Sequence, residues 1–247
     1  MKRIKLILAA VLILIPCFVI TGCGENSETN EKYGIICTSD DKLETIKDIM
    51  EVQDKKEVSG QTYYLGRIED KNVAVVRCGS GKVNAALATQ ILIDKFGATR
   101  LIEVENAYTC DDNVKAGDVV VAVDTLQFDV DATQEGYALG EVPLSGVLAF
   151  ATDVDLHDKT LTAAKSSIQS GNVVEGRVCS GDKYGLSDSE KKDIFKTFEG
   201  CCVDNSGAAV GEVCYYSGTP YITISEITEG NDGTDIAAKI VKRVIKE

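Results

Sequence analysis

The clearest candidate for a chemical site is a short glycine turn, Gly79-Ser80-Gly81-Lys82, between a predicted strand and a predicted helix. Such a turn cradles phosphates when another glycine stands five residues before the second one and a hydroxyl follows the lysine. Val76 and Val83 occupy those two positions, which rules out the nucleoside-triphosphate interpretation. Two alternatives stay open: a plain turn, or a turn whose small residues let the backbone come close to another group.

Histidine chemistry has little support, because His157 is the only histidine in the chain. Serine or cysteine triads with a histidine base would depend on that one residue. Zinc sites that use several histidines are excluded.

Composition and charge narrow the classes of protein further. Apolar residues make up 44% and charged residues 26%, the balance of a soluble globular domain rather than of a disordered or multi-span membrane chain. Acids outnumber bases 39 to 26, for a net charge of −13, and the first 22 residues hold three bases and no acid. The remainder therefore carries −16. Such a chain repels phosphate backbones, so we expect no nucleic-acid partner.

The first 22 residues are typical of a secretory signal, with a basic start followed by fifteen apolar residues, Leu6 to Ile20. This run is short for a spanning helix, which needs ~20 apolar residues. The sequence Thr21-Gly22-Cys23 resembles a bacterial lipobox, in which the cysteine is acylated after cleavage. We therefore predict a lipoprotein signal over 1–22, lipidated Cys23 and a polar tether over 23–32, and the folded domain over 33–247. The alternative is an uncut N-terminal anchor, and both alternatives place the domain at the extracytoplasmic face of the cell membrane.

Seven of the nine cysteines remain once Cys17 leaves with the signal and Cys23 carries lipid. An odd number means that at least one is free or pairs between chains. Several follow apolar, strand-like runs and are expected to be buried as small hydrophobes, with a disulfide or redox site as the alternative. No Cys-x-x-Cys pair exists, which argues against thioredoxin-type chemistry.

Beyond residue 32, the hydrophobic pattern alternates between strand and helix periods. The predicted strands are 33–38, 61–68, 72–78, 100–105, 118–128, 173–179, 201–205 and 221–227. The predicted helices are 40–52, 82–96, 157–168, 187–198, 208–216 and 232–247. In the second helix we expect Val83, Leu87, Ile91 and Phe96 to face inward. Strands that alternate with helices indicate one α/β domain with a mixed sheet.

Six segments occur in the order and nearly the spacing of a known family. They are Gly34-Ile-Ile36, Arg77 to Leu87, Lys115 to Val121, Asp129 to Thr133 with Gly136-Tyr137, Ser180 to Tyr184, and Pro220 to Glu229. Over some 215 residues the chain resembles the 5′-methylthioadenosine/S-adenosylhomocysteine nucleosidases of the purine nucleoside phosphorylase superfamily. The resemblance implies a single-domain nucleoside phosphorylase-like fold, with a central mixed β-sheet flanked by helices.

The resemblance also implies a reaction, the release of a purine from a 5′-thioribose by water. The departing base needs an acid at N7, the water needs a carboxylate, and the ribose hydroxyls need an acceptor. No metal and no organic cofactor is required. Glu229 matches the family's acid with a side chain one methylene longer, which makes it the candidate catalytic residue. Tyr184 matches the aromatic residue that stacks on the purine.

The other substrate-binding positions have changed. Lys42 stands where the family has its water-activating glutamate. Asn205 and Ser206 stand where it has its ribose-binding Met-Glu pair. Asn106 lies in the stretch Glu105–Thr109, which matches a glycine-rich loop of the family. Two of the three catalytic carboxylates are therefore replaced, and losing one well-placed acid or base costs ~10²–10⁴ in rate.

These changes leave two functions open, so the sequence does not decide whether the protein is an enzyme. The first is a surface-anchored, nucleosidase-like lipoprotein that binds a purine nucleoside or a related small molecule, with weak or absent catalysis. The second is an active purine nucleosidase that acts on methylthioadenosine-like or S-adenosylhomocysteine-like nucleosides. A redox or scaffold lipoprotein without a ligand is a remoter third. A cation at Lys42 also suggests a ligand that carries a carboxylate or phosphate. The resemblance further implies a homodimer.

Overall fold

Ten strands form one mixed sheet in the computed structural model, which describes residues 31–228, 234 and 236–247. The strands are β1 (Lys32–Cys37), β2 (Glu51–Val58), β3 (Gln61–Ile68), β4 (Lys71–Arg77), β5 (Arg100–Thr109), β6 (Val119–Gln127), β7 (Phe150–Ala151), β8 (Val173–Ser180), β9 (Gly200–Asp204) and β10 (Tyr221–Ile227). Strands β5, β10, β6, β8 and β9 pair in a closed ring, because β10 bonds to both β5 and β6 while β9 bonds to both β8 and β5. Strands β1, β4, β3 and β2 extend the sheet from β5.

Six α-helices pack around this sheet in the part of the chain that the structure describes. They are α1 (Asp40–Asp48), α2 (Lys82–Asp94), α3 (Val154–Ser167), α4 (Asp188–Phe198), α5 (Gly207–Ser217) and α6 (Ile236–Lys246). Ser39 caps α1 by accepting from the Lys42 amide, and Ser187 and Glu190 form a capping box on α4. The predicted α/β domain with a mixed sheet and flanking helices is confirmed.

Strand β5 lies at the centre of the core. It pairs with β1, β9 and β10, and Leu101, Ile102 and Val104 are fully buried. Glu103 and Glu105 alternate with these apolar residues, so the fold carries two acids into its interior. β5 also continues to Thr109, beyond the strand 100–105 that the sequence predicts.

Two local predictions are wrong. The helix predicted over 40–52 ends at Asp48, and residues 51–58 form the exposed strand β2, whose mostly charged sequence lacks the apolar alternation that indicates a strand. In α2, Val83 is 78% exposed and Leu87 38% exposed. The buried face of α2 consists instead of Ala85, Ala88, Thr89 and Leu92, because α2 packs closely against α5.

No helix within the described ranges is long and apolar enough to cross a membrane.

Candidate functional site

A cavity of about 670 Å³ opens at the ends of β5, β9 and β10. This volume lies within the range of small-molecule sites. Its wall includes Ser80, Tyr108, Tyr184, Asp204 and Asn205. Three chemically different groups therefore meet in one space: an aromatic ring, a carboxylate and an amide.

The glycine turn forms one edge of this cavity. Gly79 and Gly81 adopt φ values of 80° and 99°, a region that favours glycine. A Cβ at Gly81 would lie 3.2 Å from the Tyr184 hydroxyl. The Ser80 hydroxyl donates to that same oxygen across 3.1 Å. Of the two interpretations of the turn, close backbone approach is therefore the one observed, and the group approached is Tyr184.

Asp204 is the carboxylate of the cavity wall and is only 6% exposed. Its Oδ1 accepts weakly from the amides of Ser206 (3.2 Å) and Gly207 (3.3 Å), at the start of α5. The positive end of a helix favours a carboxylate anion. Burial works in the opposite direction and raises the pKa of Asp204 to about 6.

Glu105 lies next to Asp204 and is held by two hydroxyls. Thr38 donates to Oε1 and Ser206 donates to Oε2, each across 2.6 Å. Burial, followed by the charge of Asp204, raises the pKa of Glu105 to about 7. Ser206 thus links two carboxylates, since its hydroxyl binds Glu105 and its amide binds Asp204.

Glu103 completes a buried cluster of three acids. Thr223 donates to its Oε2 across 2.8 Å, while its Oε1 has no hydrogen-bond partner. A Cβ at Gly207 would meet both Oδ2 of Asp204 (2.8 Å) and Oε2 of Glu103 (3.2 Å), which shows how closely the two acids approach. Burial first, and then the charges of Asp204 and Glu105, raise the pKa of Glu103 well above its usual range. We call Glu103, Glu105 and Asp204 the carboxylate cluster.

Lys42 is fully buried and does not line the 670 Å³ cavity. Its Nζ lies 2.6 Å from Oε2 of Glu226, which is itself 6% exposed. Glu226 also accepts from the Ala237 amide at the start of α6 and lines a separate cavity of about 300 Å³. The ammonium predicted to attract an anionic ligand is therefore neutralised inside the protein.

The remaining predicted site residues fall in different places. Tyr184 and Asn205 line the cavity, and Asn205 donates its amide to the carbonyl of Gly181. Ser206 is fully buried behind the wall. Asn106 is half-buried, does not line the cavity, and has an Oδ1 without a hydrogen-bond partner. Glu229 and Cys23, together with residues 1–22, lie outside the described residues.

The seven cysteines of the described domain are free thiols. Six are buried, as expected for small hydrophobes, and only Cys201 is half-buried. Among the described side chains, no group of three or more His, Cys, Asp or Glu is arranged to hold a metal ion. His157 lies in α3 and lines neither cavity.

The motifs in the sequence do not predict the carboxylate cluster. Glu103 and Glu105 occupy alternate positions in an otherwise apolar run, Leu101-Ile-Glu-Val-Glu105, and acids at such positions are rarely buried without a role. The pattern in β5 therefore indicates two buried acids from the sequence alone. The sequence does not indicate that Asp204, about a hundred residues later at the end of β9, lies beside them.

Comparison with known proteins shows the family to which this chain belongs. A model of the phosphorylase superfamily matches residues 32–245. A 5′-methylthioadenosine/S-adenosylhomocysteine nucleosidase from Haemophilus influenzae is 30% identical over 203 residues, covering 82% of this chain and 87% of that protein. A nucleosidase of the same name from Marinomonas is 30% identical over 202 residues, which cover 79% of this chain and 84% of that protein. This chain belongs to the methylthioadenosine/S-adenosylhomocysteine nucleosidase family of the phosphorylase superfamily.

Solved structures agree with this membership. A nucleosidase of the same name from Neisseria meningitidis, solved with methylthio-immucillin-A, superposes with a TM-score of 0.82 at 28% identity and covers 87% of this chain and 99% of that one. A nucleosidase of the same name from Colwellia psychrerythraea, solved with adenine, has a TM-score of 0.80 at 27% identity. The match covers 87% of this chain and 95% of that one. A futalosine hydrolase from Helicobacter pylori, at 24% identity and a TM-score of 0.82, shares the fold.

Proposed function

We propose that this nucleosidase-family chain binds a purine nucleoside, or a related small molecule, in the cavity beside Tyr184, and that it hydrolyses its ligand weakly or not at all. One observation carries the proposal: an accessible tyrosine ring and a buried carboxylate, Asp204, line one cavity of nucleoside size. Tyr184 is 59% exposed, so its ring is available for stacking.

Weak catalysis is proposed because Lys42 and Ser206, which stand where the family resemblance implies carboxylates, cannot do the work of a carboxylate. Lys42 is committed to Glu226, and Ser206 has a hydroxyl that already donates to Glu105. Neither side chain is free to take a proton from water. Glu229 remains the candidate acid on the leaving purine.

A second candidate function, active hydrolysis of methylthioadenosine-like or S-adenosylhomocysteine-like nucleosides, is favoured by Asp204. A carboxylate at a cavity wall with a pKa near 6 has the property expected of a general base at neutral pH. In this second candidate Asp204 would act as the base in place of the acid that Lys42 replaces, and Glu229 would still be the acid on the leaving purine.

The proposal also includes the cellular setting. A lipid at Cys23 and the polar tether over 23–32 would hold the domain at the outer face of the cell membrane, and the basic start followed by an apolar run supports this. The proposal includes a homodimer, because the apolar side chains of Val83 and Leu87 on α2 are exposed and a partner subunit would cover them.

Binding and turnover measured on the same preparation test the proposal. Calorimetry of the full chain with methylthioadenosine, adenosine and inosine should show saturable binding, and Tyr184→Ala should weaken it. Chromatography of the same mixtures should show little free purine. Fast purine release that Glu229→Gln abolishes would replace the binding function with the second candidate.

A further inference from the structure

Two tyrosine side chains line the 670 Å³ cavity, and the proposed function uses only one of them. Tyr184 is 59% exposed and Tyr108 is 50% exposed, and both belong to the cavity wall. Ligand cavities are lined mainly by apolar and aromatic side chains, because flat rings bury much surface and lose little freedom on binding. Tyr108 is therefore a second aromatic surface in the cavity whose role is still to be explained.

Tyr108 lies near the end of β5, where the sheet fixes its position. It pairs with Val203 of β9, and the amide of Thr228 donates to the carbonyl of the preceding Ala107 across 3.0 Å. Side chains on strands are held more precisely than side chains on loops. Tyr108 also stands in the stretch Glu105–Thr109 that matches a glycine-rich loop of the family, so the resemblance does not imply a ring at this position.

Tyr184 is fixed by a different set of contacts, at the start of α2. The Ser80 hydroxyl donates to the Tyr184 hydroxyl across 3.1 Å. Two residues earlier in the same loop, Oδ1 of Asp182 accepts from the Lys82 amide across 2.9 Å. The Asp182 amide in turn donates to Oδ2 of Asp129 across 2.8 Å. Each of the two rings therefore has its own support, and neither is positioned by the other.

The strands behind the two rings are separated by one strand. β9 pairs with β5, which carries Tyr108, and with β8, which leads into the loop of Tyr184. Neighbouring strands lie ~4.8 Å apart, so β5 and β8 are separated by about 10 Å where β9 runs between them.

This spacing suits a flat group between the two tyrosines. A ring stacked between two others needs about 7–8 Å between them, which is twice the best separation of two carbon atoms. Neither Tyr108 nor Tyr184 contacts another aromatic ring in the described part of the chain. Both rings therefore keep a face available to a ligand.

We propose that Tyr108 is a specificity-determining residue, which contacts the base of the bound nucleoside on the face opposite Tyr184, so that two tyrosine rings hold the base between them. The cavity then selects a planar aromatic group through both of its faces, and each stacked contact adds affinity beyond the buried area. The contact depends on the ring of Tyr108 and not on its hydroxyl. This inference rests on the proposed function and makes it more specific.

Calorimetry on the full chain tests the inference with adenosine and adenine as probes. Tyr108→Leu keeps an apolar side chain but removes the aromatic ring, and it should weaken the binding of both probes by about three- to tenfold. Tyr108→Phe keeps the ring and should bind both probes within about twofold of wild type. Tyr216→Leu is the control, because Tyr216 is 60% exposed on α5 and does not line the cavity, so both affinities should stay unchanged.

Proton NMR adds a signature that a general loosening of the cavity would not produce. The ring current of a stacked aromatic side chain shifts the protons of the base upfield. Protons H2 and H8 of adenosine should therefore move upfield on binding to wild type. The shift at saturation should be smaller with Tyr108→Leu, and it should be unchanged with Tyr108→Phe and with Tyr216→Leu.

The outcomes distinguish the inference from the function on which it rests. If Tyr108→Leu, shown to be folded by circular dichroism, keeps the wild-type affinities or the wild-type shift, the inference is wrong while nucleoside binding stands. A loss confined to adenosine would place Tyr108 at the ribose and would also overturn the inference. If the wild-type chain binds neither probe, the proposed function and the inference are both wrong.

A second variant covers the case in which Tyr108→Leu does not fold. Tyr108→Thr places another residue that favours strands at this position and also lacks the aromatic ring. It should show the same loss of affinity for both probes and the same smaller shift. Wild-type affinity in folded Tyr108→Thr would overturn the inference.

Discussion

The Ser206 hydroxyl donates to Oε2 of Glu105 across 2.6 Å, at a point where both side chains are buried. The family resemblance implies a glutamate at position 206 and a glycine at position 105. A carboxylate is therefore present in both arrangements, but here it is attached to β5 instead of to the start of α5. Lys42 and Glu226 form a second such combination, since Lys42 stands where the resemblance implies an acid and Glu226 supplies the acid beside it.

The first prediction concerns exchange of the carboxylate between positions 206 and 105. Ser206→Glu places a second acid against Glu105 in the interior and should lower the free energy of unfolding by on the order of 3 kcal/mol. Adding Glu105→Gly removes the repulsion and should recover most of that loss. Ser206→Ala, the control, removes one hydrogen bond and should cost about 1–2 kcal/mol. Urea unfolding is measured for the wild type, Ser206→Glu, Glu105→Gly, the double variant and Ser206→Ala, and simple additivity of the two single changes in the double variant would contradict the exchange.

The second prediction concerns pH. The pKa of Glu105 rises from 4.5 in the unfolded chain to about 7 in the folded one, so folding favours its protonated form. That contribution is complete below about pH 4 and is lost as the pH rises towards 7. Glu105→Gln should therefore gain about 2–3 kcal/mol of stability relative to wild type between pH 5 and pH 8.

Urea unfolding at the two pH values checks this difference. Glu135→Gln, an exposed control, should show no such gain. A Glu105→Gln variant that loses stability relative to wild type as the pH rises would show that the folded state favours the ionised carboxylate.

The third prediction concerns the Lys42–Glu226 pair. Lys42→Met leaves the Glu226 carboxylate buried without its cation and should cost about 3–5 kcal/mol of stability. Lys42→Met combined with Glu226→Gln should cost less than the sum of the single changes, by about 1–3 kcal/mol. The exposed pair Lys47–Glu44 serves as the control, because Lys47→Met should cost under about 1 kcal/mol. A double-mutant cycle without coupling would contradict the assigned pairing.

The fourth prediction concerns thiol reactivity. Burial raises the pKa of Cys110 to about 12 and raises that of every other described cysteine as well. Ellman's reagent at pH 8 should therefore label the folded domain slowly, with Cys201 the most reactive of its seven thiols, and should label it fully in denaturant. Cys201→Ser should remove the fastest part of the domain's labelling. Rapid labelling of several thiols in the folded Cys201→Ser chain would contradict the burial.

Much of the fold can be predicted from the sequence because most of its strands are short apolar runs and helices such as α1 and α4 begin at a capping serine. The hairpin of β3 and β4 and helix α4 follow these local signals closely. β2 was missed because an exposed edge strand has no apolar face to reveal it. The outward position of Val83 was missed because the small residues of α2, which favour close packing against α5, decide which face is buried.

The candidate site was less accessible for a different reason. Tyr184 and Asn205 follow from matched motifs, and the structure places both at the cavity. Lys42 meets Glu226 only because α1 packs near β10 in the folded chain. Ser206 likewise meets Glu105 only because the start of α5 lies beside β5. Side-chain identity alone therefore indicated which residues had changed, but not where the compensating charges lie.

A crystal structure of the full chain in detergent, soaked with methylthioadenosine, tests nucleoside binding without hydrolysis most directly. We expect an intact nucleoside in the cavity, with its purine against Tyr184. Adenine alone in the cavity would show that the bond has been cleaved and that the protein is an active nucleosidase. A cavity that stays empty at saturating nucleoside would contradict the proposed function altogether.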